Sequence, residues 1–333
     1  MLMKKILLTF AVAITAIFAT AQTKTYTDDL TVTINGEASE PQKTVIYVEE
    51  NNDGTYTLSL NQFTLGGMIP VGNIVLSNIA ATEDNGIRSI TAKQNITIAA
   101  GDENAGDWIG PMLGEVPVDL NGKMTDGSLY CAINIDLTSS MNQIINVTFG
   151  KDIKATRSYT DDLAVTINGN SSTPQQTTIN VDEKADGTYT LSLNNFMLAN
   201  AESTIPVGNI VIHNITASEA DGVKNFAVKQ NINIVEGDVE ADFWMGPQLG
   251  EVPVDLTGKM TDYKLYCNIN IDMVSTLGQT INVKFGNENL TGINDVETEN
   301  VKVKNIFDLT GRRIEAITAP GIYIINGKKV FVK

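Results

Sequence analysis

Apolar and polar residues alternate with a period of two through most of the chain. Leu30, Val32 and Ile34 alternate with threonines and stop at Asn35-Gly36. Ile46 and Val48 resume the pattern after Pro41, and Tyr56, Leu58 and Leu60 share one face after the turn at Asp53-Gly54. Period two marks a strand with one buried face. The same signal predicts strands over residues 69–80, 87–98, 129–137 and 143–149. Val116, Val118, Leu120, Gly122 and Met124 share one phase, so a single strand runs through Asn121-Gly122 and the turn falls at Asp126-Gly127.

The pattern then repeats. Tyr26-Thr27-Asp28-Asp29-Leu30 opens one copy and Tyr159-Thr160-Asp161-Asp162-Leu163 the next; they close on Phe149-Gly150 and Phe285-Gly286. Residues 26–65 match 159–198 at 28 of 40 positions, and residues 69–150 match 205–286 at 50 of 82. The second copy has three extra residues before Ile205-Pro206. It also replaces Asn121-Gly122 by Thr257-Gly258, a poorer tight-turn pair, which supports the continuous strand. Each copy therefore holds eight short-linked strands and no predicted helix. Such a sheet closes into an antiparallel up-and-down barrel, which removes its edges; a two-sheet sandwich is the competing arrangement. Residues 151–158 read as a linker that would hold the second barrel near the first and convert weak binding into avidity.

The residues Tyr26-Thr27-Asp28-Asp29-Leu30, Asp53-Gly54-Thr55-Tyr56, Gly114-Glu115-Val116-Pro117-Val118 with Gly122-Lys123-Met124, and 129–136, with their second-copy equivalents, resemble the calycin-like β-barrel domain of secreted Bacteroidetes proteins. The resemblance implies two tandem eight-stranded, lipocalin-related barrels and brings no set ligand or catalytic residues. The glycine–tryptophan signature of true lipocalins is absent, so their ligand classes are not carried over.

Both ends read differently. Lys4-Lys5, an apolar run over residues 6–18 and Ala19-Thr20-Ala21 form a secretory leader cut before Gln22. No other long apolar run is present, so the mature chain is expected to lack a transmembrane segment. Residues 287–300 are polar and acidic, as in a linker. The tail, through Asn305-Ile306-Phe307-Asp308-Leu309-Thr310-Gly311-Arg312-Arg313, Ala319-Pro320-Gly321 and Asn326-Gly327-Lys328-Lys329, resembles the C-terminal sorting domain of type IX (Por) secretion in Bacteroidetes. That resemblance implies recognition by the secretion machinery at the outer membrane and release or surface attachment. The expected organisation is a leader at 1–21, barrels at 22–150 and 151–286, a linker at 287–300 and a sorting domain at 301–333.

Charge narrows the partners. The formal net charge is −16, and the last 33 residues hold seven basic and two acidic residues, so the excess acid sits on the repeats. Such a surface repels phosphate backbones, so no nucleic-acid partner is expected. Cys131 and Cys267 occupy equivalent apolar-phase positions, one per repeat, and read as buried thiols rather than a disulfide.

Candidate chemistry is sparse. Asp53-Gly54 and Asp186-Gly187 lack the EF-hand spacing, with leucine at the twelfth position, and read as turns. His213 is the only histidine and its counterpart is Ser77, so no metal or triad site exists in both copies. Asp28-Asp29 and Asp161-Asp162 are adjacent on a strand and point to opposite faces. The ligand candidates are Gln94 and Gln230, amides on the apolar phase that need a partner. Trp108 and Trp244, loop aromatics before Gly-Pro, and Tyr56 and Tyr189 complete the set. The expectation is an exported, non-enzymatic protein without cofactor, secreted or at the cell surface. It would bind a small apolar or amphipathic ligand or a glycan in or at the mouth of a barrel, or contact a protein. The alternative is a structural or adhesive protein with solid barrels.

Overall fold

The computed structural model describes residues 23–102, 108–199, 204–290, 306–308, 312–314, 320–325 and 328–332. The expected leader at 1–21 and residues 291–300 of the expected linker lie outside them. The chain divides into two compact units after Leu290.

The first repeat forms strands β1 (Thr23–Ile34), β2 (Gln42–Glu50), β3 (Tyr56–Leu65), β4 (Ile69–Asp84), β5 (Ile87–Thr97), β6 (Glu115–Met124), β7 (Leu129–Leu137) and β8 (Gln143–Phe149). Each pairs antiparallel with the next, and β1 closes the ring on β8 through Leu30↔Phe149 to Ile34↔Ile145. The long β1 serves both neighbours: Thr23 to Leu30 pair with β2 and Leu30 to Ile34 pair with β8. The result is a closed eight-stranded barrel. Alternation sends Leu30, Ile46, Leu58, Ile79, Ile90, Leu120, Cys131 and Phe149 into one core. Each such aliphatic side chain contributes roughly 1.5–3 kcal/mol by burial. The thiols are free and buried; burial pushes the Cys131 pKa up to about 12.

The second repeat forms β9 (Ile153–Ile167), β10 (Gln175–Lys184), β11 (Tyr189–Ala199), β12 (Thr204–Ile215), β13 (Ala217–Ala220), β14 (Val223–Asn233), β15 (Glu251–Met260), β16 (Leu265–Met273) and β17 (Gln279–Phe285). Its ladder follows the same path. Here, however, the strand equivalent to β4 is divided at Thr216, so the hydrogen-bonded path runs from β12 round to β13 without closing. Leu163, Leu191, Ile212, Leu256, Cys267 and Phe285 fill the matching core.

Two readings need correction. The supposed linker at 151–158 is mostly strand: β9 starts at Ile153, which is fully buried. Short helical turns also occur, at Thr138–Met141 and Val274–Leu277 and as 3-10 turns at Gly110–Leu113 and Gly246–Leu249. Four residues are too few to show a 3.6-residue period, which is why alternation missed them.

The two barrels are packed together rather than tethered. The rim turn between β6 and β7 of barrel 1 lies on the outer face of β10 and β11 of barrel 2. Thr125 Oγ1 donates to Asp182 Oδ2 at 2.8 Å and Asn194 Nδ2 donates to the Asp126 carbonyl at 3.1 Å. Lys123 Nζ donates to the Ile153 carbonyl at 3.0 Å and pairs with Asp152 at 2.7 Å. Thr125, Ser128, Asp182, Lys184, Thr190 and Ser192 are all buried.

The second unit is a four-stranded antiparallel sheet: β18 (Ile306–Phe307), β19 (Arg313–Ile314), β20 (Gly321–Ile325) and β21 (Lys328–Val332), in the order β19-β18-β20-β21. Its hairpin register, Ile325↔Lys328, leaves two residues for the connection.

A polar cleft between the two barrels

The strand pair β4–β5 zips at one end and splays at the other. Ala80–Asp84 pairs with Ile87–Thr91, after which the ladder returns only as the bridge Asn73↔Ala99. Asn78, with φ 55°, takes the left-handed conformation that asparagine tolerates and bends the strand there. Gln94 Nε2 crosses the gap to the Ser77 carbonyl at 2.8 Å. Repeat 2 has the same construction: Asn214 at φ 55°, the bridge Asn209↔Val235, and Gln230 Nε2 donating to the His213 carbonyl at 2.8 Å. The two glutamines are half-buried and use their amide N–H on the facing strand.

In barrel 2 this splayed seam faces barrel 1 and forms one wall of a cleft of about 510 Å³. Asn194, Asn209, His213, Gln230, Asn233 and Asp238 stand on that wall; Lys24, Asp28, Lys43 and Asp126 stand opposite. The position of Lys24 follows from β1, whose first residues run past the rim turn, and Lys24 Nζ pairs with Asp126 Oδ1. Arg88 NH1 reaches the same carboxylate at 3.7 Å. Burial opposes ionisation of Asp126, but the hydrogen bond and charge of Lys24, helped by Arg88, carry its pKa below the usual carboxylate range. Across the cleft, Asp238 accepts from Asn209 Nδ2 at 3.1 Å; burial nevertheless raises its pKa, against the pull of Lys24. The Asp238 backbone N–H is held at 2.6 Å by Asn195 Oδ1.

His213 sits at the deep edge, with Nδ1 3.4 Å from Thr190 Oγ1. Burial lowers its pKa; Asp28 opposes the shift, and Lys184 and Lys43 reinforce it. Beside it, Lys184 is 3% exposed with no protein hydrogen-bond partner for Nζ. Burial lowers its pKa against Asp182 and Asp28. The serine-to-histidine change between repeats thus falls at the docking seam.

Of the six expected ligand residues, Gln230 alone lines this cleft. Tyr56 and Tyr189 are core residues, and Lys224 Nζ lies 5.3 Å from the centre of the Tyr189 ring. Trp244 is buried and lies over Gly237, where a Cβ would meet the indole at 2.3 Å; Trp108 covers Gly101 in the same way. Each indole thus packs on a glycine of its own loop. Asp28 is half-buried while Asp29 is exposed and pairs with Lys43 at 3.0 Å, so the aspartate pair does split across the strand. Asp53 Oδ1 accepts from Thr55 N and Oγ1, as in a turn. Among the described residues, no group of three or more His, Cys, Asp or Glu is placed to hold a metal ion, and no helix is long and apolar enough to cross a membrane.

Sequence reasoning missed the cleft's main residues: Lys24, Asp126, Asn209 and Asp238. One signal was available. Three of the differences between the repeats, Gly127 against Tyr263, Ser128 against Lys264 and Ser77 against His213, put one copy's residue at the docking interface.

Residues 23–151 and 156–288 match the calycin-like beta-barrel domain. The chain belongs to that family. The two matched segments are the two repeats, and this calycin-like tandem spans most of the sequence. No curated protein gives a significant match. A solved structure from Bacteroides fragilis NCTC 9343, provisionally described as an outer membrane protein, is 13% identical. It aligns over 79% of this chain and 97% of its own at a TM-score of 0.28, too low to carry an argument.

Proposed function

We propose that this calycin-like tandem is an exported, non-enzymatic binding protein whose ligand site is the cleft between the barrels rather than a barrel interior. The observation that carries the reading is the contrast between filled apolar interiors and a cleft that presents amide and charged groups beside apolar ones. Inward-facing side chains of each barrel join into one apolar core. The cleft of about 510 Å³ lies outside both cores and draws its walls from both repeats. That volume falls within the roughly 300–1,000 Å³ common for small-ligand sites. Amides and carboxylates share the lining with the apolar side chains of Val45, Val211, Ile232 and Val235; Lys24 and Lys43 are the cations, and His213, its pKa lowered by burial, adds a neutral imidazole. Such groups recognise hydroxyls by paired donors and acceptors. A glycan segment, which presents hydroxyls on its edges and an apolar face of C–H groups, fits this mixed lining.

His213 provides the test because it is the only histidine. Its imidazole NMR signals in the intact chain are to be followed against a panel of neutral and acidic oligosaccharides. A binder should shift them, and Asp238→Asn should weaken that binding about tenfold, the loss of one charge-assisted hydrogen bond. Binding that leaves the imidazole unmoved and survives Asp238→Asn rules out the cleft.

The filled cores also support a second reading, a structural or adhesive surface protein with solid barrels. For delivery, we propose that the C-terminal unit is a type IX sorting tail. Its resemblance at residues 305–313 and its separate fold support that role. Unchanged export after deletion of residues 301–333 would remove it.

A further inference from the structure

The rim turn between β6 and β7 has an equivalent between β15 and β16, and both are built from within in the same way. Tyr26 Oη donates to the Thr125 carbonyl at 2.8 Å and Tyr159 Oη to the Thr261 carbonyl at 2.7 Å. Outside, they part. Gly127 is pressed against barrel 2, where a Cβ would stand 2.1 Å from Ser192 Oγ, and Ser128 beside it is buried. The equivalent Tyr263 is 90% exposed, next to Lys264.

The receiving face also occurs twice. Asp182, Lys184, Thr190 and Ser192 of barrel 2 correspond to Glu49, Asn51, Thr57 and Ser59 of barrel 1, which are half-buried. Glu49 retains a carboxylate to accept from a threonine hydroxyl, as Asp182 accepts from Thr125. A turn on one barrel meeting a different patch on the next is a heterologous contact, and such contacts propagate from copy to copy unless the rotation closes a ring. One chain therefore carries both halves of a head-to-tail joint: a free turn on barrel 2 and a receiving face on barrel 1.

We infer that Tyr263 and Lys264 stop this joint from forming between two copies of the chain. A phenol ring cannot enter a space that leaves no room for a methyl group. Lys264 at the place of Ser128 would put a long charged side chain where barrel 1 buries a small hydroxyl, a costly step. Copies of the chain thus stay unjoined at this surface because the second turn cannot dock as the first does.

The test exchanges the turn residues in the intact chain. Tyr263→Gly with Lys264→Ser should give an apparent mass by light scattering that at least doubles with concentration. Adding Ser59→Tyr, which blocks the receiving face, should return it to the monomer mass. The reverse change, Gly127→Tyr, needs no new association and should part the two barrels, raising the radius of gyration by X-ray scattering and exposing residues 151–152 to protease. The inference is overturned if the double variant stays monomeric, if the native chain already associates through a contact that Ser59→Tyr abolishes, or if Gly127→Tyr leaves the radius unchanged.

Discussion

Ser59 and Ser192 are the same residue at the same place in two duplicated barrels, and so are Thr57 and Thr190. Ser192 and Thr190 are buried, whereas Ser59 and Thr57 are half-buried. The reverse holds at the rim turns: Gly127 is buried and Tyr263 is exposed. Inside the barrels no such divergence occurs, since Leu120 and Leu256 are both at 0% exposure, as are Cys131 and Cys267. Duplication copied the core requirement twice. The outer surfaces were then free to take different jobs, because only one pairing of turn and face exists in the folded chain.

That contrast can be broken most forcefully in the cores. Leu120→Ala and Leu256→Ala should each cost about 2–5 kcal/mol, since both remove a fully buried side chain from close packing. Chemical denaturation of each variant tests the equivalence; a cost confined to one repeat would show that the cores are not alike. At the interface the effects should diverge. Asp182→Ala strips the acceptor from Thr125 Oγ1 in a buried setting and should cost about 1–3 kcal/mol. Glu49→Ala, at the equivalent but half-buried place, should stay within about 0.5 kcal/mol. Equal losses would mean that barrel docking does not distinguish the two faces.

The smallest effect concerns pH. Burial holds the His213 pKa below its ordinary value of 6.5, so the unfolded chain binds that proton more readily. Stability should therefore rise with pH from the lowered pKa up to about 6.5, and the penalty should be fully present below the folded pKa. His213→Ser, which restores the residue of repeat 1, should flatten this part of the melting-temperature profile. If both proteins show the same slope as pH falls through about 6.5, the histidine is not the titrating group.

The strands were legible because alternation records burial on one face of a sheet, and a barrel keeps that face buried everywhere. Gly122 shows the gain: reading its phase with Leu120 and Met124 placed one continuous strand where the Asn-Gly pair suggested a turn, and β6 runs through it. The stretch 151–158 shows the limit. Its polar residues look like a tether, yet they form the leading half of β9, held by backbone pairing with β10 that side-chain pattern does not record. The glutamines were legible as amides in need of a partner, but their partners are carbonyls of a splayed strand.

The sequence by itself determined the duplicated all-β barrels, the buried thiols and the acidic surface, since each follows from local periodicity or composition. Only the tertiary structure decided that the barrels dock, which turn meets which face, and that a cleft lined by Lys24, Asp126, Asn209, His213 and Asp238 lies between them. Those side chains come from a strand start, a rim turn, a splayed strand and a loop of two different barrels. Their joint environment exists only once one barrel has covered the other.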